Sequence, residues 1–241
     1  MNQLIQTVES MGLSVELYDA FHILGFATVL VALVLHGRAM KLKEWKCALT
    51  VMIVYPIAYI WVYIQYWIES GFRSFGGNNI VRLFIYIPLV AYPVAKWLKM
   101  EWRKVCSFLA CAPLLAHTIS HIGCIFTGCC MGYPSTFGIY NCVTEDIRFP
   151  IQFVEVLIAG GIVIYLYIRA KKRSYIPDGK EYPIMLILFG STRFICEFFR
   201  DNEKILWGCS SLAFHALFMF VVGIVALVII RRKQQAAKIS E

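Results

Sequence analysis

Charged side chains are scarce in this chain: Asp, Glu, Lys and Arg make up 16% of its 241 residues, against about 25% in an ordinary soluble domain. No segment alternates apolar and polar residues as a half-buried or barrel strand does. Low-complexity tracts, a linker to a soluble domain and an internal repeat are missing too. The first lack excludes water as the main solvent, and the second excludes a transmembrane barrel. The third leaves a single domain over residues 1–241 and argues against a transporter, whose halves usually repeat. Residues 1–16 contain no Lys or Arg, so the first apolar run lacks the basic flank of a cleavable signal peptide and is expected to stay in the protein.

What is present is apolar: 59% of residues are hydrophobic and the mean hydropathy is +0.66. Backbone facing lipid has no water to bond with and satisfies itself inside helices, so the predicted fold is all-α and polytopic. Runs near 17–36, 46–68, 79–98, 104–127, 151–169, 183–199 and 208–230 approach the roughly 20 residues that a bilayer core requires. That gives seven transmembrane helices. The run at 183–199 is the shortest and contains Arg193 and Glu197, so a strict hydropathy window would miss it and leave six.

The net charge of +8 raises the question of nucleic acid, and the placement of the cations answers it. Of the 23 Lys and Arg residues, 17 fall in the connectors after the first, third and fifth runs and in the tail. This is the positive-inside pattern. It places the amino terminus outside and the carboxyl terminus in the cytoplasm, and it provides no continuous basic face with stacking aromatics, so no nucleic-acid partner is expected. The connectors 69–80 and 128–150, rich in Gly, Pro and turn formers, lie on the outer side, where functional loops on a rigid frame are often found.

Two constellations could carry chemistry. His117, His121 and Cys124 are spaced to share one helical face, and Gly128, Cys129, Cys130 and Gly132 follow at once. Histidines bonding neighbouring helices and packed cysteines would account for them singly. As a set they suit a proton carrier, or a soft-metal site of His117, His121, Cys124, Cys129 and Cys130, although adjacent cysteines do not match C-x-x-C spacing. A loop disulfide is a further option at an oxidising face. In the second constellation Arg193, Glu197 and Arg200 are spaced for one helical face, either as an internal ion pair or as a cavity where guanidinium forks bind phosphate. Pro150, Gln152 and Glu155 open the fifth run at the same depth. Tyr18 fits an interfacial aromatic belt, and Gly76 and Gly77 fit a turn.

At these residues the chain resembles the prolipoprotein diacylglyceryl transferase family of seven-span bacterial enzymes. LYDAFHILGF is similar to the family's first-span segment, with Tyr18 seven residues before Gly25. HIGCIFTGCCMG resembles the signature R-x-G-N-F-x-N-G-E-x-x-G, with Gly123, Gly128 and Gly132 in register. FPIQFVE resembles the Pro-x-Gln-x-x-Glu segment, and FGSTRFICEFFR the segment Tyr-x-x-x-Arg-x-x-x-Glu-Phe-x-Arg. The chain departs from the pattern at His121, where the family has arginine, at Cys124 (asparagine), Cys129 (acidic), Phe75 (histidine) and Phe189 (tyrosine).

The resemblance implies transfer of a diacylglyceryl group from phosphatidylglycerol or a similar phospholipid to the cysteine thiol of a prolipoprotein or another outer-leaflet acceptor, at the bacterial cytoplasmic membrane and without a cofactor. That reaction needs a group to take the thiol's proton, and His121, with His117 second, suits the task because an ordinary imidazole titrates near pH 6.5. Arg193, with Arg200 or Arg148, would hold phosphate, and Tyr18 would orient the headgroup. Gly76, Gly77, Cys124, Gly128, Cys129, Cys130, Gly132, Gln152, Glu155 and Glu197 would complete the substrate site. The competing expectations are a metal-binding or redox-active protein using the His/Cys cluster and a catalytically silent family member.

Overall fold

Residues 1–73 and 80–239 are described by the structure, a computed structural model; Gly76 and Gly77 lie outside the described residues. The chain is mostly helical: α1 (Asn2–Ser10), α2 (Ser14–Ala39), α3 (Glu44–Glu69), α4 (Ile80–Trp97), α5 (Trp102–Thr127), α6 (Ile151–Lys172), α7 (Glu181–Cys196) and α8 (Ser211–Ile239). Among the described residues, six helices are long and apolar enough to cross a membrane: α2, α3, α5, α6, α7 with the turn that follows it, and α8. The run expected at 183–199 is therefore present despite its two charges. The run expected at 79–98 is α4, of 18 residues, which begins at the edge of the undescribed segment and is not among the six.

The outside of the bundle is apolar. Ile23 is 70% exposed, Leu89 67% and Leu157 61%, a surface that water would penalise and lipid would not. Inside, Val54, Ala58, Phe84, Ile87, Leu109 and Met185 form the buried core. α5 is the central helix and packs on α2, α4, α6 and α7. Small residues permit the tightest approaches, as is usual where no water drives helices together. A side chain at Gly25 would meet Ser120 Oγ at 2.8 Å, and one at Gly123 would meet Tyr18 Cα at 3.1 Å; these two glycines bring α2 against α5. Gly190 does the same for α7 and α8, where an added Cβ would sit 2.8 Å from the Phe220 nitrogen.

Three features differ from the sequence expectations. α1 is a short helix ahead of the first span, anchored by buried Ile5 and by Asn2 Oδ1, which accepts the Tyr140 backbone N–H at 3.1 Å. The connector 128–150 is not irregular throughout, so the fold is not purely α: β1 (Pro134–Asn141) and β2 (Asp146–Arg148) pair as an antiparallel hairpin. The Thr, Phe, Ile and Tyr of β1 favour a pleated strand, and a register shift between Pro134 and Ile139 accommodates Gly138, where a Cβ would lie 2.0 Å from the Arg148 oxygen. Finally, α7 ends at Cys196 and a single 3-10 turn, Glu197–Phe199, leads to Arg200 in extended conformation. Arg193, Glu197 and Arg200 therefore do not share one continuous helical face.

Candidate active site

α5 is helical through Thr127 and ends on Gly128, whose φ of +66° is the left-handed cap that glycine adopts without strain. Asn141, at the end of β1, holds this cap: its Nδ2 donates to the Gly128 oxygen at 2.8 Å while its Oδ1 accepts the Val143 and Thr144 N–H groups. Cys130 has φ of +59°, unusual for a residue with a side chain. Met131 and Gly132 then run beside the segment after α7: Asp201 N–H donates to the Met131 oxygen at 3.1 Å, Tyr133 N–H to the Phe199 oxygen at 3.3 Å, and Gly132 bridges to Arg200. A Cβ at Gly132 would come within 2.4 Å of the Phe149 oxygen, so only glycine fits there. Gln152 completes the frame, its Nε2 donating to the Cys129 oxygen at 2.9 Å.

This frame borders a cavity of about 370 Å³ that residues of α2, α3 and α4 also line. Tyr18, His117, His121, Cys124, Cys129, Cys130, Arg193 and Arg200 all line it. Residues distant in sequence thus share one wall, and the site draws on α2, α5, the connector and the end of α7.

Buried charge organises the floor. Glu155, 4% exposed, enters from α6 and accepts four hydrogen bonds: Arg193 Nη1 and Arg200 Nε (3.1 Å) on Oε1, and His121 Nε2 (2.7 Å) and Arg200 Nη2 on Oε2. Glu197 is the second carboxylate. Its Oε1 lies 2.6 Å from Arg193 Nη2, and its Oε2 accepts from Asn202 Nδ2 at 2.9 Å and Ser210 Oγ at 2.7 Å. Two guanidiniums face two carboxylates, so the set is neutral overall, as burial at low dielectric demands. His121 Nε2 also lies 3.2 Å from Arg200 Nη2; in the tautomer that donates to Glu155, the lone pair of a neutral ring is on Nδ1. Among the described residues, four buried atoms at this site lack a hydrogen-bond partner: the Tyr55 hydroxyl, His117 Nε2, Arg193 Nε and Glu197 Oε1, the last of which keeps its ion pair with Arg193. The His117 and His121 ring centroids are 4.7 Å apart.

Arg148 lies elsewhere. It bonds Asp146 Oδ1 at 2.8 Å and Asp201 Oδ2 at 2.5 Å, which ties the hairpin to the segment after α7 and leaves the guanidinium outside the residues that line the cavity. Gly128, Gly132 and Gln152 shape backbone in this structure. Asn141, Asn202 and Ser210, which fix the cap and Glu197, were not expected from the sequence, because single polar residues in connectors carry no periodic signal. All nine cysteines are free thiols.

The sequence pattern of the prolipoprotein diacylglyceryl transferase family matches residues 5–229, nearly the whole chain. The chain belongs to that family. A comparison with curated proteins gives no match. Membership implies diacylglyceryl transfer to prolipoproteins, a transferase reaction of lipoprotein biosynthesis, and together with the apolar helices it makes this a multi-pass membrane protein. The family's signature segment, here HIGCIFTGCCMG, forms the end of α5 and the cysteine-bearing wall of the cavity.

Proposed function

We propose that this single-domain protein transfers the diacylglyceryl group of phosphatidylglycerol, or of a closely related phospholipid, to the cysteine thiol of a prolipoprotein or similar acceptor at the outer leaflet of the bacterial cytoplasmic membrane. One observation carries the reading: in a member of this family, a single cavity gathers three tyrosines, three histidines and two arginines, Tyr18, His117, His121, Arg193 and Arg200 among them, at the end of the bundle opposite the basic connectors. The orientation follows from those connectors, with α4 as a third span, the amino terminus outside and the tail inside.

The reaction requires the acceptor thiol to lose its proton, its sulfur to attack the glyceryl carbon, and glycerol phosphate to leave. Nδ1 of His121 takes the proton, and Glu155 on the opposite ring nitrogen stabilises the imidazolium that forms. His117 is the second base within reach. Arg193 and Arg200 face the departing phosphate, whose negative charge is worth more to them in a site that excludes water, while Glu155 and Glu197 hold both guanidiniums in place beforehand. Tyr18 orients the headgroup.

The test is mass spectrometry of a lipobox peptide incubated with purified protein and phosphatidylglycerol. A diacylglyceryl mass on the peptide cysteine is expected, abolished in His121→Ala and strongly reduced in Arg193→Lys, which keeps the charge and loses the fork. An unmodified peptide after incubation with folded protein would overturn the reading.

A further inference from the structure

The base and phosphate roles leave three thiols of the cavity wall without a task. Cys124, Cys129 and Cys130 all line the same cavity, and Cys129 Sγ donates to the Cys124 backbone oxygen at 3.8 Å. A ring nitrogen of His121 and the Sγ atoms of Cys124 and Cys130 all lie within 4.8 Å of one another. Around tetrahedral zinc, neighbouring sulfur and nitrogen ligands are roughly 3.5–3.8 Å apart, given bonds of about 2.0–2.3 Å. The set therefore needs a contraction of at most about 1.0–1.3 Å to enclose an ion.

We propose that His121, Cys124 and Cys130 bind one soft metal ion, zinc by preference, with a fourth coordination position open to the cavity. Imidazole with two thiolates is a soft donor set that suits zinc and discriminates against calcium and magnesium. Two thiolates also cancel the charge of a divalent ion, so occupancy leaves the balanced floor of Arg193, Arg200, Glu155 and Glu197 undisturbed. Glu155 on His121 Nε2 is the carboxylate–histidine arrangement that commonly orients a ligand ring, leaving Nδ1 to bind. A second grouping, His117, His121 and Glu155, also has its ligand atoms close together, but the Glu155 oxygens are already taken by two guanidiniums. Cys129 is not one of the three, and its sulfur accepts from Thr127 Oγ1 at 3.4 Å.

This inference rests on the proposed transfer reaction for its role and deepens it. Three protein ligands with one open position is the pattern of catalytic rather than structural zinc. The acceptor thiol fills that position and is deprotonated by the ion, its proton passing to His117, whose Nε2 is buried without a partner. The bound sulfur then attacks the glyceryl carbon; the C–S bond forms as the C–O bond breaks, and the electron pair leaves on the phosphate oxygen. The metal changes neither charge nor oxidation state. With the ion bound, His121 serves as its ligand and His117 takes over the base role that His121 has in the metal-free reading of the site.

The experiment is metal analysis of the full chain purified in detergent without chelators, followed by cobalt(II) titration of the metal-depleted protein. One equivalent of zinc per chain is expected, with intense near-ultraviolet thiolate-to-cobalt absorption; both are lost in Cys124→Ser and Cys130→Ser and retained in Cys111→Ser, a thiol lining a separate groove. Cobalt bound without thiolate absorption, or zinc far below one equivalent after incubation with zinc chloride, would overturn the site using the wild-type protein alone, whatever the variants' folding. Peptide lipidation assayed in parallel separates the two claims. Transfer by the metal-free protein would refute the metal's role and keep the transferase reading, whereas stoichiometric thiolate-bound metal without transfer would keep the site and refute the transferase reading.

Discussion

His121 Nε2 and Glu155 Oε2 meet at 2.7 Å across 34 residues of sequence, and this contact joins the signature helix α5 to α6 at the point where Arg193 and Arg200 also converge. Glu155 is thus the common acceptor of a ring and two guanidiniums. Its loss has consequences for stability that differ from those of losing any of its partners.

Removing Glu155 leaves two buried guanidiniums with only Glu197 to balance them. Deleting one side of a buried ion pair typically costs about 3–5 kcal/mol, a fall in Tm of roughly 6–20 °C for a chain of this size. Glu155→Ala is expected to show that fall in detergent, and Glu155→Gln, which keeps an acceptor, a smaller one. Equal Tm values for Glu155→Ala and wild type would contradict the buried network.

His121→Ala deletes a neutral or singly charged ring and leaves Glu155 with both arginines, so folding is expected to survive. Transfer to the peptide should fall by about 10²–10⁴-fold, the usual worth of a positioned base. Single-turnover rates on protein of confirmed Tm are the measurement. A rate within threefold of wild type would remove His121 from the mechanism.

Gly132 and Gly161 make a matched pair of substitutions. Alanine at Gly132 meets the Phe149 oxygen at 2.4 Å, whereas at Gly161 nothing lies within 4 Å. Gly132→Ala should displace the strand carrying Arg200 and lower both Tm and transfer; Gly161→Ala, inside α6, should raise stability by roughly 0.5–1 kcal/mol. Thermal melts of the two variants side by side decide the point.

Arg148 was expected among the phosphate ligands, and its pairing with Asp146 and Asp201 outside the cavity leads to a different expectation. Exposed or partly exposed ion pairs contribute about 0–1 kcal/mol, so Arg148→Met should keep transfer within about fivefold and Tm within a few degrees. A loss comparable to that of Arg193→Lys would return Arg148 to the substrate.

The connector between α6 and α7 should be sensitive to acid. Burial raises the Asp178 carboxyl's pKa, but the Lys180 backbone N–H and the Arg169 guanidinium outweigh burial and hold it below the ordinary value; Arg169 Nη2 lies 2.6 Å from Oδ2. Arg173 Nη1 lies 3.5 Å from the same carboxyl, and Glu181, whose Oε1 accepts the Asp178 backbone N–H at 3.3 Å, is its acidic neighbour. A folded pKa below the unfolded one, near 3.9, means the stabilisation is complete above that value and disappears as pH falls through the lower folded one. Below about pH 4 the wild type should therefore lose roughly 2–4 °C more than Asp178→Asn. Parallel pH–Tm curves for the two proteins would rule this out.

The sequence showed the membrane helices and the central cluster well, because both rest on periodic signals. Apolar runs near bilayer length marked α2, α3 and α5 to α8, and the i, i+4, i+7 spacing of His117, His121 and Cys124 placed three side chains on one cavity wall. It failed where local pattern gives way to tertiary context. The Arg193–Arg200 spacing reads as helix, but the last turn tightens and Arg200 swings out to bridge with Gly132. Asn141 acts only because a hairpin, itself hidden among turn formers, brings it back to the cap of α5.

The Glu155 network also bears on biogenesis. Translation delivers Glu155 ahead of its partner Arg193 by 38 residues, so on emerging from the ribosome α6 carries an uncompensated carboxylate about one turn inside its outer end, where a charge opposes insertion, though by less than the roughly 2.5–3.5 kcal/mol of a helix centre. The counterions arrive only with α7, itself marginal in hydropathy because of them. Each helix lacks what the other supplies, and the two are best released into lipid together, as a hairpin whose charges meet before either faces the acyl chains.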